Sequence, residues 1–498
     1  MKLISMILSV LILQVFTAHA QHTSIVINGN IQTDREFDTI QLIIRGEFSH
    51  GGDPEFSPLQ SEMIIAKKGR FSFTVSGMET PVKADFYIRP QRHPVNNILL
   101  SENQLLYVPV EPGDSVYITG KQGALSFTGR GAANWAYRQS SDSLMDQCNK
   151  MKKGYRNADG SFARGRYDSN VVQLNKDLLK SYKPLLGNQM YFILEADRRS
   201  AENNQYLIQA HNLTSNNVDH ARKAQSIYET YIHDMPVDTT NAALLRWSDY
   251  PYTLRLKASL DYEYEKMHGR VTEPDLYTFV AKRYQGVLLE KILMWVLNKD
   301  ILLSNISDEK LAFMEANITI PEYRERIKML KNTYATGSEM SDFEFRDKSD
   351  KPVRLSDFKG KVVLLDMWFT GCGGCVAVAD SLPDVENAFG HGDSVVFISL
   401  SIDLHREKWL RSVDPDKKIQ TGNKAGYTHY TTPSTVYLYT GGSGSHNPFI
   451  RKYVSGGAYP HLLLLGKDGK VYASDPPNPS YKGGKERLKA LIRKALVE

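Results

Sequence analysis

The chain has 498 residues, 61 lysines and arginines against 56 aspartates and glutamates, and three cysteines. A formal net charge of +5 at this length, with no basic run interleaved with aromatics, argues against nucleic acid as a partner. Three cysteines are too few for a framework of disulfide staples, and a chain this long buries an adequate core without one.

Residues 1–20 predict a signal peptide. Lys2 supplies the positive start, Leu3 to Phe16 is mostly apolar, and Ala18-His19-Ala20 has the small-x-small form that signal peptidase cuts. The apolar run is too short for a membrane span. No cysteine follows the cut, so a lipid anchor is not expected. The expectation is a soluble protein, periplasmic or otherwise exported, whose mature chain starts near Gln21.

The pattern beyond that point divides at 21–130, 131–335 and 336–498. In the first segment Ser24 to Ile27, Ile40 to Ile44, Phe71 to Val75 and Val116 to Ile118 alternate like strands, and Glu111-Pro112-Gly113-Asp114 is a turn. Short strands between turns predict an all-β sandwich or barrel, the sandwich being the expected fold. With no catalytic constellation in it, the segment reads as scaffold or docking surface.

Helical spacing dominates 131–335, as in Val171 to Tyr182, Tyr252 to His268 and Leu276 to Leu297. Gly286 to Leu303 is apolar enough to suggest a membrane span, but Glu290, Lys291, Lys299 and Asp300 interrupt it, which favours a buried helix. Asn212-Leu213-Thr214, Asn305-Ile306-Ser307 and Asn317-Ile318-Thr319 fit the glycosylation triplet, a pattern short enough to arise by chance. Cys148 stands alone and reads as a plain thiol.

From 336 strands and helices alternate. Val362 to Met367 is a strand, Cys372 to Phe389 a helix, Ser394 to Ser401 a buried strand, and His405 to Val413 a helix. Tyr437 to Tyr453 reads as a glycine-rich loop, with a short helix at Asn447 to Val454. A hairpin follows around Lys467-Asp468-Gly469-Lys470, and an amphipathic helix from Gly484 to Val497. This is a β-α-β unit followed by a β-β-α unit.

Two of the three cysteines fall in Trp368-Phe369-Thr370-Gly371-Cys372-Gly373-Gly374-Cys375, at the junction of a strand and a helix. Unpaired N–H groups at a helix start stabilise a thiolate, so the spacing suits a dithiol that opens and closes as a disulfide. A zinc site needs two more ligands at suitable spacing, and no second pair exists.

That element order, with Cys372-x-x-Cys375 at the first helix start, resembles the thioredoxin fold. More narrowly it resembles the exported TlpA/ResA-type thiol–disulfide oxidoreductases, whose entry into the domain matches Phe345 to Phe358 and Lys359-Gly360-Lys361. The front segment resembles the β-rich domains fused to such proteins. The resemblance implies catalytic roles for Cys372 and Cys375, a buried acid at Asp366 serving the second thiol, and a cis peptide before Pro460. It also implies that Trp368, Gly371 and Tyr459 border the substrate. Gly371 stands where tryptophan is usual, Gly374 where proline is common, and Val378 where some relatives place an acid.

Copper is the metal alternative, with His461, His446 or His429 as a third ligand, but copper carriers of this fold share a Cys-x-x-x-Cys spacing absent here. Peroxidase chemistry wants a Pro-x-x-x-Thr-x-x-Cys loop, also absent. The function expected is a periplasmic oxidoreductase reducing protein disulfides, recharged by a membrane electron donor, with no cofactor and no metal. The alternative is an exported docking protein with an accessory thioredoxin-like domain. The oligomeric state is not readable from the sequence.

Overall fold

The computed structural model describes residues 24–32, 37–45, 60–78, 80–89, 103–121, 124–151, 169–213, 218–238, 249–302, 305–390, 394–414, 435–454 and 457–498. Residues 1–20 and His429 lie outside this set, as do the side chains of Cys148 and His446. The chain forms two compact units, one reaching Phe279 and the other running from Val280 to Glu498.

The first unit opens with eight strands: β1 Ile25–Gln32, β2 Phe37–Arg45, β3 Gln60–Lys67, β4 Arg70–Val75, β5 Val82–Arg89, β6 Asn103–Val110, β7 Ser115–Lys121 and β8 Ala124–Arg130. Their order is β6-β5-β2-β3-β4-β1-β7-β8, and only β1 and β7 pair in parallel. The β3–β4 step is paired only at Lys67 and Arg70, so the sheet can fold over at this turn. Phe71 of β4 meets Phe86 of β5 at 5.5 Å although these strands are not neighbours, and one core joins both halves. The strands expected from alternation all fall in this sandwich-like sheet, because β1 and β4 each bury every second residue.

Helices α1 Ala132–Met151, α2 Ser169–Tyr182, α3 Asn188–Leu213, α4 Val218–Ile227, α5 Tyr250–Met267 and α6 Leu276–Arg283 follow. Trp135 of α1 closes the β core edge-on to Phe86 at 5.9 Å. Lys83 of β5 reaches Asp197 of α3 at 2.9 Å and Asp249, beside the start of α5, at 2.7 Å. Burial works against the Lys83 charge, but these two carboxylates overcome it and hold the ammonium above its ordinary range.

The second unit contains α7 Gly286–Leu302, α8 Asp308–Asn317 and α9 Pro321–Tyr334. The stretch expected as one helix, Leu276 to Leu297, is therefore two. Its periodicity is continuous, but Gly286 takes a φ of +58°, a left-handed conformation that ends one helix and lets the next begin. Glu290 is buried because it accepts from Thr319 N–H, Thr319 Oγ1 and Ile320 N–H, at the entry to α9. No helix among the described residues is long and apolar enough to cross a membrane.

These helices join the sheet that follows. Gly337 N–H donates to Val471 O at 2.7 Å, Ser474 Oγ to Ile306 O at 3.0 Å, and Tyr334 OH to Lys452 O at 3.2 Å. The sheet contains β9 Glu344–Arg346, β10 Pro352–Arg354, β11 Val362–Trp368, β12 Val395–Ser401, β13 Thr435–Tyr439, β14 His461–Leu465 and β15 Val471–Ala473, in the order β10-β9-β13-β12-β11-β14-β15. Helices α10 Gly373–Glu386, α11 Arg406–Ser412, α12 Pro448–Tyr453 and α13 Gly484–Val497 complete it. The beginning of the expected loop Tyr437 to Tyr453 is thus strand: Thr435–Tyr439 pairs in parallel with β12.

Strands β11 and β12 are parallel neighbours buried on both faces, which is why their sequences are nearly unbroken apolar runs. Val362 and Leu364 pack with Val378, Leu382, Leu488 and Ile492 of α10 and α13. Val363, Leu365 and Met367 pack with Phe449, Ile450 and Tyr453 of α12. Each such aliphatic side chain contributes roughly 1.5–3 kcal/mol by burial.

Candidate active site

The last paired residues of β11 and β12 are Trp368 and Ser401, so the segments after them leave the sheet side by side. Ile402 N–H still donates to Trp368 O at 2.9 Å. Beyond that point ladder bonding gives way to side chains. The Asp403 carboxylate accepts from Thr370 N–H at 3.2 Å and from Thr370 Oγ1 at 2.7 Å.

Gly371 then takes a φ of +102°, and a side chain there would meet nothing within 4 Å. The chain turns at this residue and enters α10 with Cys372 as its N-cap. Cys375 N–H points at Cys372 Sγ at 3.1 Å, the contact through which a helix start favours a thiolate. Cys372 and Cys375 form a disulfide with their Cα atoms 5.3 Å apart. Cys372 is 7% exposed and Cys375 1%, so the first cysteine is the more accessible.

Asp366 shares the sheet face of Leu364 and Trp368, the face covered by α10. Burial pushes its carboxyl up to about 7, and its Oδ1 has no hydrogen-bond partner. A carboxyl held near neutrality can take or give a proton in the pH range where thiols exchange.

The peptide bond between Tyr459 and Pro460 is cis. Pro460 lies against the helix start: a Cβ on Gly374 would stand 3.1 Å from Pro460 Cδ. Tyr459 packs edge-on to Phe369 at 5.6 Å. Its hydroxyl is buried without a partner, and burial pushes it up to about 12.

Trp368, Cys372, Cys375 and Tyr459 therefore meet in one cluster, with Pro460 at its edge and Gly371 at the turn. Trp368, however, is not at a surface. It is 1% exposed, its Nε1–H donates to Ser399 Oγ at 2.6 Å, and it supports the pair from within the core. His461, the copper candidate beside Pro460, is opposite Met367 in the β11–β14 ladder. The pleat puts it on the Leu463 face, away from Asp366 and the cysteine cluster. Burial pushes its imidazole down to about 4. Among the described residues no group of three or more His, Cys, Asp or Glu side chains is arranged to hold a metal.

Thr370, Asp403, Lys408 and Ser412 were not expected at the site. Nor was the stack of Trp409 on Tyr439, 5.1 Å between ring centroids, in the same cluster as the cysteines. The available signal was positional: Asp403 follows a buried parallel strand at its carboxyl end, where ligand-facing groups of α/β sheets collect.

Residues 335–428 match the redoxin family. Among solved structures, the chain is similar to the thioredoxin domain of a thiol-disulfide oxidoreductase from Bacteroides vulgatus, at 26% identity and a TM-score of 0.23, covering 32% of this chain and 96% of that one. It is also similar to a thiol:disulfide interchange protein from a Bacteroides species, at 24% identity and a TM-score of 0.24, covering 33% of this chain and 93% of that one. The redoxin match covers the segment that carries Asp366, Cys372 and Cys375, within a C-terminal part of thioredoxin-like fold.

Proposed function

We propose that the protein is an exported thiol–disulfide oxidoreductase that reduces disulfides in other proteins through Cys372 and Cys375. The observation that carries this reading is the disulfide at the start of α10, with the Cys372 residue more exposed than Cys375 and the unpaired Asp366 carboxyl on the sheet face beneath the helix. In the reduced enzyme the Cys372 thiolate attacks one sulfur of a substrate disulfide. A Cys372–substrate disulfide forms and one substrate thiolate leaves. Cys375, its proton accepted by Asp366, then attacks Cys372 Sγ and releases the second substrate sulfur as a thiolate. Two electrons pass to the substrate and the Cys372–Cys375 disulfide is left. A membrane-bound dithiol donor would return two electrons and two protons to it.

The substrate is an extended protein segment, paired with the backbone beside Pro460. Phe369, 37% exposed and packed against Tyr459, supplies an apolar contact near the pair. Residues 1–20 support export, where a stable oxidised pair is at home.

Trapping tests the reading. Cys375→Ala should accumulate mixed disulfides with exported proteins, released by reductant, whereas Cys372→Ala should trap none and lose turnover. Equal trapping by both variants would contradict the assigned roles.

A further inference from the structure

We propose that Asp403 and Lys408 are positioning residues for Cys372, holding Thr370 within the turn that leads into the attacking cysteine. The inference rests on the oxidoreductase reading above and deepens it.

Thr370 is held at every polar group it has. Its N–H lies 3.2 and 3.3 Å from the two Asp403 oxygens, and its hydroxyl donates to Asp403 Oδ2 at 2.7 Å. Its carbonyl accepts from the Lys408 ammonium at 3.2 Å. Ser412 Oγ lies 2.6 Å from the Thr370 hydroxyl. The same ammonium stands 3.6 Å from Asp403 Oδ1, and Ser401 Oγ donates to Asp403 Oδ2 at 2.9 Å. Asp403 is 4% exposed. A carboxylate that deeply buried is costly unless charge and donors meet it, and here both do, with three of the contacts converging on one loop residue.

Closing the sheet does not require this clamp. The β11–β12 ladder is complete at Trp368 and Ser401, and the core beneath is filled by Trp368, Trp409 and Tyr439. The clamp acts on the next segment. Thr370 sits inside the turn that Cys372 N–H closes on Phe369 O at 3.2 Å, so its position is passed directly to Cys372. With Thr370 fixed, Cys372 Sγ stays under the Cys375 N–H and aligned for attack. With Thr370 loose, the turn shifts and carries Cys372 with it. A misplacement of about 1 Å at a reacting centre is worth up to a hundredfold in rate.

The test uses the full mature chain in its reduced form, with two readouts. One is the Cys372 thiolate titration followed by ultraviolet absorbance, and the other is the single-turnover rate with a small aromatic disulfide. Asp403→Asn and Lys408→Met are expected to raise the Cys372 pKa and slow attack by roughly tenfold to a hundredfold. Thr370→Val should do the same to a smaller extent, and Lys408→Arg and Thr370→Ser should restore near wild-type values. If Asp403→Asn does not fold, Thr370→Val and Lys408→Met decide the matter alone. Variants that lose thermal stability but titrate and react like wild type would overturn the clamp and leave a structural role. A wild-type protein inert toward the probe would instead overturn the oxidoreductase reading.

Discussion

Two aspartates, one in each sheet, are buried to a similar degree and treated in opposite ways. Asp85 of β5 is 0% exposed and every neighbour answers its charge. Arg45 Nε donates to it at 2.6 Å, Tyr107 N–H at 2.8 Å and Tyr87 OH at 3.2 Å, and the Arg45 guanidinium also rests over the Tyr107 ring at 4.7 Å. Asp366 of β11 is 6% exposed and has no ion pair among the described contacts, with Oδ1 unpartnered. A fold that pairs a buried carboxylate uses it as scaffold. A fold that leaves one unpaired carries a destabilising group, and the proposed proton transfer between Asp366 and Cys375 supplies a reason to keep it.

The contrast can be broken from either side. Asp85→Ala should destabilise the fold across the pH range where carboxylates are ionised, by about 3–5 kcal/mol, because it strands the Arg45 charge. Arg45 is 20% exposed, which places the expected value toward the lower end. Urea unfolding followed by tryptophan fluorescence would measure it, since Trp135 lies in the same core as Phe86. A neutral result would show that Asp85 is not scaffold.

Asp366→Asn should do the reverse, and only at high pH. Burial raises this carboxyl from 3.8 to about 7, so the folded state holds the proton more tightly than the unfolded chain does. The contribution of this one group to wild-type stability is therefore greatest below about pH 4, falls as pH rises through 4 to 7, and is lower by roughly 4 kcal/mol above that window. The variant lacks this titration. It should match wild type near pH 4, exceed it by up to about 4 kcal/mol at pH 8, and resolve mixed disulfides more slowly. A stability difference independent of pH would contradict a neutral buried acid.

The smallest effect sharpens the picture at the helix start. Gly373→Ala meets no neighbour, whereas a Cβ on Gly374 stands 3.1 Å from Pro460. Alanine at 373 should stabilise α10 by about 0.5–1 kcal/mol. Alanine at 374 should gain less and disturb the Pro460 contact, visible as slower exchange. Equal gains with unchanged rates would show that Pro460 gives way freely.

Much of the redox domain is legible in one dimension. Cys372, Cys375 and Asp366 lie within ten residues of one another on the end of an apolar run, and Pro460 directly precedes another. The double burial of β11 and β12 is written as continuous apolar sequence. Thr435–Tyr439 is harder, because it is short, only its last three residues are buried, and it leads into Gly441-Gly442. Asp403 was not legible as a partner of Thr370. Their bond spans 33 residues and exists only because two parallel strands end level. Gly286 shows the converse limit: periodicity continues through a residue whose left-handed backbone divides the helix.

The central claim is tested most directly by the reduction potential of Cys372–Cys375 in the mature protein, equilibrated against defined thiol buffers. The account predicts a reversible two-electron couple toward the thioredoxin end of the scale, about −270 mV, as a donor of electrons to protein disulfides requires. A value near −120 mV would make the protein an oxidant that installs disulfides, and the absence of any reversible couple would contradict the account outright.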